Sequence, residues 1–354
     1  MCDWRDLFSV RSFSLNGIAT KAFWGPAAQA LGYPQGGGSG NSSYYPNPVT
    51  FTQVGQVTAL GKGYALAYLG GGVSLIVSAD GKVYRSTNGG VNWSLITTIA
   101  GFTPFQLTGA MFSAGGTTIV TTANLIHRSI NQGTTWVTSN TGAVTAGGSI
   151  LGTDNASRWV VAGNISNALS TIYSHSNNDG VIWFTALNVT PIFGAANPAN
   201  IIWNGTQWIF SGSNVSSGNI QTSPDAVNWT ITPGPALDLI GQIVLLGGTY
   251  YGCGFQSANL YSAASPIALA TAPTITVMPA SSGGLYCFVV ANTKFFVFDF
   301  ASHVYSSNSP TGPYVQGISN LPTGDSPSNA VYDPVNKFVI LLGQSGVVTN
   351  LFVP

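Results

Sequence analysis

Apolar and polar residues follow one another in short runs along most of this chain, and the runs repeat. The clearest unit opens with Tyr64–Leu69, turns at Gly70–Gly72, returns as Val73–Ser78, continues as Lys82–Ser86 and ends with Trp93–Ile96. Its first hairpin recurs with turns at Gly115–Gly116, Asp154–Asn155, Asn204–Gly205, Gly247–Gly248, Asn292 and Asp333–Pro334. Each turn leads into a bulky strand start: Leu75, Ile119, Trp159, Trp208, Tyr250, Phe295 and Phe338, 40–49 residues apart. That spacing is the length of a four-stranded propeller blade. Gly-Gly and Asn-Gly allow the positive φ of tight hairpins, and alternating or fully apolar strands suit sheets stacked face to face. No helical stripe exceeds two turns, so little helix is expected. The pattern predicts an all-β fold, a seven-bladed β-propeller of four-stranded blades over residues 49–354. The seventh unit, Ala330–Leu351, holds only three strands. Val49-Thr-Phe51-Thr-Gln-Val54 has the form of Val91-Asn-Trp93-Ser-Leu-Ile96, so an N-terminal strand is expected to close the last blade and cover a free sheet edge.

A second motif lies between the third and fourth strands. Ser86-Thr-Asn88-Gly-Gly90-Val-Asn-Trp93 recurs as Ser129-Ile-Asn131-Gln-Gly133-Thr-Thr-Trp136 and as Ser176-Asn-Asn178-Asp-Gly180-Val-Ile-Trp183. A shortened copy reads Ser223-Pro-Asp225-Ala-Val-Asn-Trp229, and worn copies span Tyr261–Ala270 and Val304–Tyr314. Ser and Asx side chains in such a turn bond to nearby backbone amides, and the Trp ring covers it. This motif resembles the Asp-box, or BNR, repeat of sialidase-like propellers, although three of the four good copies have Asn where that family usually has Asp. The resemblance implies a structural role for these residues.

Composition narrows the chemistry. Only 6% of residues are charged, against roughly 25% in an ordinary soluble domain. The 45% hydrophobic content, with nine Trp and eighteen Phe, still argues for a packed core. Net charge is zero with no basic run, so nucleic acid is not an expected partner. No apolar run is long enough for a membrane helix, and no secretory signal pattern is present. Cys2, Cys253 and Cys287 lack metal spacing and read as buried free thiols. His127, His175 and His303 also lack metal spacing, and no metal or cofactor is expected. The sialidase resemblance raises glycoside hydrolysis as an alternative. Such enzymes need three arginines on the sugar carboxylate and a Tyr–Glu pair. Here all ten acids are Asp, and the five arginines are Arg5, Arg11, Arg85, Arg128 and Arg158. None of these arginines falls on the face where propeller ligands bind and no Tyr–Glu pair can form, so a non-enzymatic role is expected. Asp80, Asp238, Asp299 and Asp325, which topology assigns to that face, keep hydrolysis as an alternative.

That face, made of the second-to-third-strand turns and the blade-to-blade connections, should gather Phe102, Phe105, Phe193, Phe255, Asp299, Phe300 and His303. Aromatic rings with a few polar groups suit sugar faces, and gap-filling between blades is the competing role for the same rings. Residues 1–48 read as an arm with Trp4, Phe8, Phe13, Phe23 and Trp24, followed by a Gly/Ser-rich linker over 35–43. Exposed rings need cover, so the arm is expected to dock on another polypeptide. The style of the chain is similar to bacteriophage tail-fibre and other virion proteins made in the host cytoplasm. The expected function is a virion component, tail- or fibre-associated, facing a host glycan or receptor and able to form homo-oligomers. A capsid decoration protein is the alternative within that class.

Overall fold

The structure is a computed structural model describing residues 12–15, 18–21, 49–56, 63–103, 111–122, 125–140, 150–164, 171–186, 198–213, 218–233, 240–279, 283–322 and 325–353. Seven antiparallel four-stranded sheets follow one another along the chain. Blade 1 is Gly63–Gly70, Val73–Ser78, Lys82–Ser86 and Ser94–Thr98; blade 2 is Met111–Ala114, Thr117–Thr121, Leu125–Ser129 and Val137–Asn140. Blade 3 is Ile150–Thr153, Trp159–Asn164, Thr171–Ser176 and Phe184–Ala186; blade 4 is Pro198–Trp203, Trp208–Ser213, Gly218–Ser223 and Thr230–Pro233. Blade 5 is Ile240–Leu246, Thr249–Gly254, Asn259–Ala263 and Thr274–Val277; blade 6 is Leu285–Ala291, Lys294–Asp299, His303–Ser307 and Val315–Ile318. Blade 7 takes Pro327–Asp333, Phe338–Gly343 and Val347–Phe352, and its fourth strand is Thr52–Gln56. Apolar side chains on both faces of the middle strands fill the gaps between blades.

The closing segment differs in one detail from the expected register. Phe51 precedes the strand rather than lying in it, with Thr52 opposite Asn350 and Gln56 opposite Val347. Its ring is fully buried, edge-on to Phe298 at 5.8 Å and Phe296 at 6.3 Å in blade 6. The Phe51 amide donates to the Ile318 carbonyl (2.8 Å), and the Ile318 amide donates to Val49 (2.8 Å). The segment therefore joins blade 6 to blade 7. Trp93, Trp136, Trp183, Trp229 and Tyr314 likewise stand immediately before a fourth strand, so this ring belongs to the repeat. Blade 5 departs from it: Pro266–Thr271 forms a short helix capped by Ser265, where a worn turn was expected.

The Ser-x-Asx turns staple themselves and also join blades. Ser86 Oγ accepts from the Gly90 amide and donates to Asn88 Oδ1, both at 3.0 Å. Asn88 Oδ1 accepts from the Asn92 amide (3.0 Å), and Trp93 Nε1 donates to the Gly90 carbonyl (2.9 Å). The same bonds recur in the turns of Ser129, Asn131, Gly133 and Trp136, and of Ser176, Asn178, Gly180 and Trp183. In blade 4, Ser223 accepts from Ala226 and donates to Asp225, and Trp229 donates to the Ala226 carbonyl. Burial pushes the Asp225 carboxyl up, but bonds from the Asn228 and Val227 amides outweigh it and hold it well below the usual range. The four Trp rings are half-buried.

The glycine of each turn rests on the blade before it. A Cβ on Gly133 would stand 2.7 Å from Leu75 Cδ1 of blade 1, and one on Gly180 2.5 Å from Ile119 Cδ1 of blade 2. Both also hold positive φ, +80° and +76°. Blade 4 places Ala226 at this position, clustered with the smaller Val160 of blade 3. Beside Gly180, Asp179 accepts from Arg128 Nη2 (2.7 Å) and Trp159 Nε1 (3.1 Å), bridging blades 2 and 3.

Of residues 1–48, read from the sequence as an arm that docks on another polypeptide, two short strands are described, and residues outside those described separate them from the closing segment at Val49. Ser12–Leu15 and Ile18–Lys21 form a hairpin with Leu15 opposite Ile18 and Phe13 opposite Thr20. It lies against the first strands of blades 1, 2, 4, 6 and 7, inside the ring. A lone two-stranded hairpin is barely stable in water, and the inner strand edges of its own propeller give it a surface. Trp4, Phe8, Phe23 and Trp24 lie outside the described residues. No described helix is long and apolar enough to cross a membrane.

Phe51→Ala should lower the unfolding free energy by about 3–5 kcal/mol, since it empties a fully buried aromatic site at the closure; denaturant titration measures it. Gly133→Ala should cost roughly 2–4 kcal/mol from positive φ and overpacking. Leu75→Val should cost less in that background than in the wild type, because it makes the room that blade 4 already has; a double-mutant cycle measures the difference.

Candidate functional site

The ring has two faces. First-to-second and third-to-fourth turns share one; second-to-third turns and blade connections share the other, here the connection face. Bulges mark the connection-face ends of the first strands, where pairing slips in blades 1, 4, 5, 6 and 7. Side chains there bond to the next blade. The Tyr64 hydroxyl donates to the Thr121 carbonyl (3.0 Å) and Tyr286 to that of Ser328 (2.6 Å). Asn200 Oδ1 accepts from the Ile243 amide (3.1 Å), and Gln242 Oε1 from that of Phe288 (2.5 Å).

Four of the seven anticipated ligand residues come together where blades 5 and 6 meet. Phe255 is 41% exposed and stands edge-on to Phe300 at 4.8 Å. Phe300 stands edge-on to Tyr286 at 5.3 Å. Tyr286 was missed by sequence reasoning because it falls in a strand; only the bulge turns it toward this group. Gly284 makes the junction possible, since a Cβ there would stand 1.7 Å from the Phe255 carbonyl oxygen. The Gly284 carbonyl in turn accepts from the Phe300 amide (3.1 Å).

Asp299 organises the adjoining turn. Its fully buried carboxylate accepts from the Ala301 amide (2.9 Å), the His303 amide (2.8 Å), His303 Nδ1 (2.8 Å) and the Tyr305 hydroxyl (2.9 Å). The bond fixes the imidazole with Nδ1 inward, and the side chain remains 34% exposed. In the neutral ring Nε2 is then an acceptor. The patch thus offers a rigid apolar edge beside one oriented polar group.

The remaining candidates are elsewhere. Phe102 is half-buried in the connection from blade 1 to blade 2, edge-on to Tyr64 at 5.1 Å and 5.4 Å from the His127 ring. It fills a gap and is separate from the patch. Phe105 and Phe193 lie outside the described residues, as does Asp238. Asp80 pairs with Lys82 (2.7 Å) and bonds Ser78; these partners outweigh burial and lower its pKa. Asp325 accepts from the Ser345 amide (2.9 Å) and hydroxyl (2.6 Å), tying the connection between blades 6 and 7 to the last turn. The described carboxylates of this face are therefore engaged in holding turns.

No family model matches the chain, and no curated protein matches it. Solved structures do. A structure titled YCF48 bound to D1 peptide aligns with a TM-score of 0.67 at 10% identity, covering 88% of this chain and 97% of that one. YCF48 from Cyanidioschyzon merolae aligns at 0.63 and 12% identity, covering 86% and 99%. A GH74 enzyme of Niastella koreensis aligns at 0.58 and 16% identity, covering 85% and 53%. Identities this low show the fold alone. The chain is a seven-bladed β-propeller. Among the described residues of the connection face, the patch at blades 5 and 6 sets one exposed and two half-buried aromatic rings beside an oriented polar side chain.

His127, under Phe102, gives this side of the propeller a pH dependence. Burial lowers its pKa from 6.5 to about 4, and its ring bonds only the Thr138 hydroxyl (2.9 Å). The unfolded chain therefore takes the proton first, so stability is full above pH 6.5 and declines as pH falls toward 4. Between pH 7 and 4.5 about 2–3 kcal/mol should be lost. His127→Phe should remove most of that difference in denaturant titrations at the two pH values.

Proposed function

We propose that this propeller is a non-enzymatic recognition module of a bacteriophage virion, tail- or fibre-associated, which presents its connection face to a host surface glycan. The observation that carries the reading is the aromatic patch: Phe255 projects at the junction of blades 5 and 6, backed by Phe300 and Tyr286, with His303 held beside it by Asp299. Sugar rings present apolar C–H faces that stack on aromatic groups, and their hydroxyls can donate to the Nε2 of an oriented imidazole. The near-absence of charge suits a hydroxyl-rich ligand better than a phosphate or a polyanion. The Ser-x-Asx turns support the resemblance to Asp-box propellers, and their bonding supports a scaffold role on the opposite face.

Glycoside hydrolysis is the second reading, favoured by the likeness to a GH74 enzyme. Against it stand the carboxylates: hydrolysis in its common form needs an acid and a second carboxylate facing the scissile bond. Asp80, Asp299 and Asp325 are turned to lysine, histidine, tyrosine, serine and backbone partners instead.

Saturation-transfer NMR against a panel of neutral oligosaccharides tests both readings. Binding is expected and should weaken at least about tenfold in Phe255→Ala and Phe300→Ala, a loss of about 1.4 kcal/mol or more, while Phe102→Ala binds as the wild type does. Product peaks appearing during the measurement would favour hydrolysis. Binding unchanged by both patch substitutions, or no binding to any sugar, would overturn the site.

A further inference from the structure

The central channel has a wall of unusual chemistry. The first strand of each blade pairs with its second strand on one side only, so its other edge faces the axis. Such an edge offers unpaired backbone N–H and C=O groups. Three first strands carry orphaned amide atoms, at Asn200, Gln242 and Asn329. Asn200 Nδ2 in blade 4 and Asn329 Oδ1 in blade 7 are buried with no hydrogen-bond partner, in residues only 1% and 5% exposed. Buried polar atoms of this kind are costly when unmet. The unpaired inner edges of the first strands suit an occupant that carries its own backbone donors and acceptors.

The chain contains such an occupant. Phe13-Ser-Leu15-Asn16-Gly17-Ile18-Ala-Thr20 has alternating flanks around Asn-Gly, the strongest short-range signal for a two-residue hairpin. Its strands pair in that register, with Leu15 opposite Ile18. The hairpin lies against the first strands of five blades, among them those that carry Asn200 and Asn329.

We infer that the central channel is a receptor for a two-stranded ribbon, and that its occupant is the chain's own N-terminal strand pair, Ser12–Leu15 with Ile18–Lys21. The inference is independent of the glycan reading, since the patch lies on the connection face and the ribbon on the axis. It also changes the arm's role, because this part of it is engaged within one molecule before any assembly.

Lys21 ends the second strand of the hairpin and provides a trypsin site for the test. In the native full chain, cleavage after Lys21 should be at least about tenfold slower than in Thr20→Pro, where proline removes a strand donor and unseats the ribbon. Equal rates in the two proteins would overturn the inference. Hydrogen exchange on the wild-type chain reads the same point without a substitution. Amides of Ser12–Leu15 and Ile18–Lys21 should be protected alongside those of Pro198–Trp203 and Pro327–Asp333. Complete exchange of the hairpin while those strands remain protected would also overturn it.

Discussion

Seven sheets can stand around an axis only if each blade fits the flank of the blade before it, and at blades 2 and 3 that fit is made by a single glycine of the outer turn. Gly133 on Leu75 and Gly180 on Ile119 leave no space for a Cβ, and the positive φ at both positions comes from the same turn that Ser129 and Ser176 staple. The serine, the Asx and the glycine therefore act together. The first two hold the turn in a conformation that brings the third against its neighbour. Blade 4 reaches the same end by other means, with Ala226 buried in the cluster that holds Val160 of blade 3. Volume is conserved across the joint, as close-packed interiors require.

A ring built from such joints must also close, and the last joint is made by chain from the opposite end. Val49–Phe51 bonds to blade 6 before Thr52–Gln56 pairs in blade 7, so one segment fixes both blades and their connection. The candidate patch depends on that rigidity. Phe255, Tyr286 and Phe300 come from two blades and three different loops or strands, and only a fixed angle between the blades keeps their rings edge to edge. Asp299, buried beneath, spends its bonding capacity on orienting His303 and the turn that carries Phe300.

Much of this was legible along the chain. Turn residues at blade spacing, four copies of Ser-x-Asx with a following Trp, and the match of Val49–Val54 to Val91–Ile96 defined the blade count and the closing strand, since these are local patterns with local physical causes. Phe255, Asp299, Phe300 and His303 were also placed on one face by topology alone. Phe102 was assigned to the same face correctly but to the wrong company, because topology names a face and leaves the position around the ring open. Tyr286 was hidden because one inserted residue in a strand reverses which way a side chain points.

The hairpin marks the boundary most clearly. Asn16-Gly17 with its alternating flanks is a hairpin signal inside a stretch whose aromatic residues otherwise read as an arm. Even when read correctly it predicts only a hairpin. That the hairpin lies among the first strands of five blades is a property of the assembled ring, whose inner edges exist only once seven sheets are in place. The sequence by itself determined the repeat, the turns and the chemistry available. The tertiary structure decided which carboxylates are engaged, which rings meet and what the channel holds, because each of these depends on groups far apart in the chain that no local pattern connects.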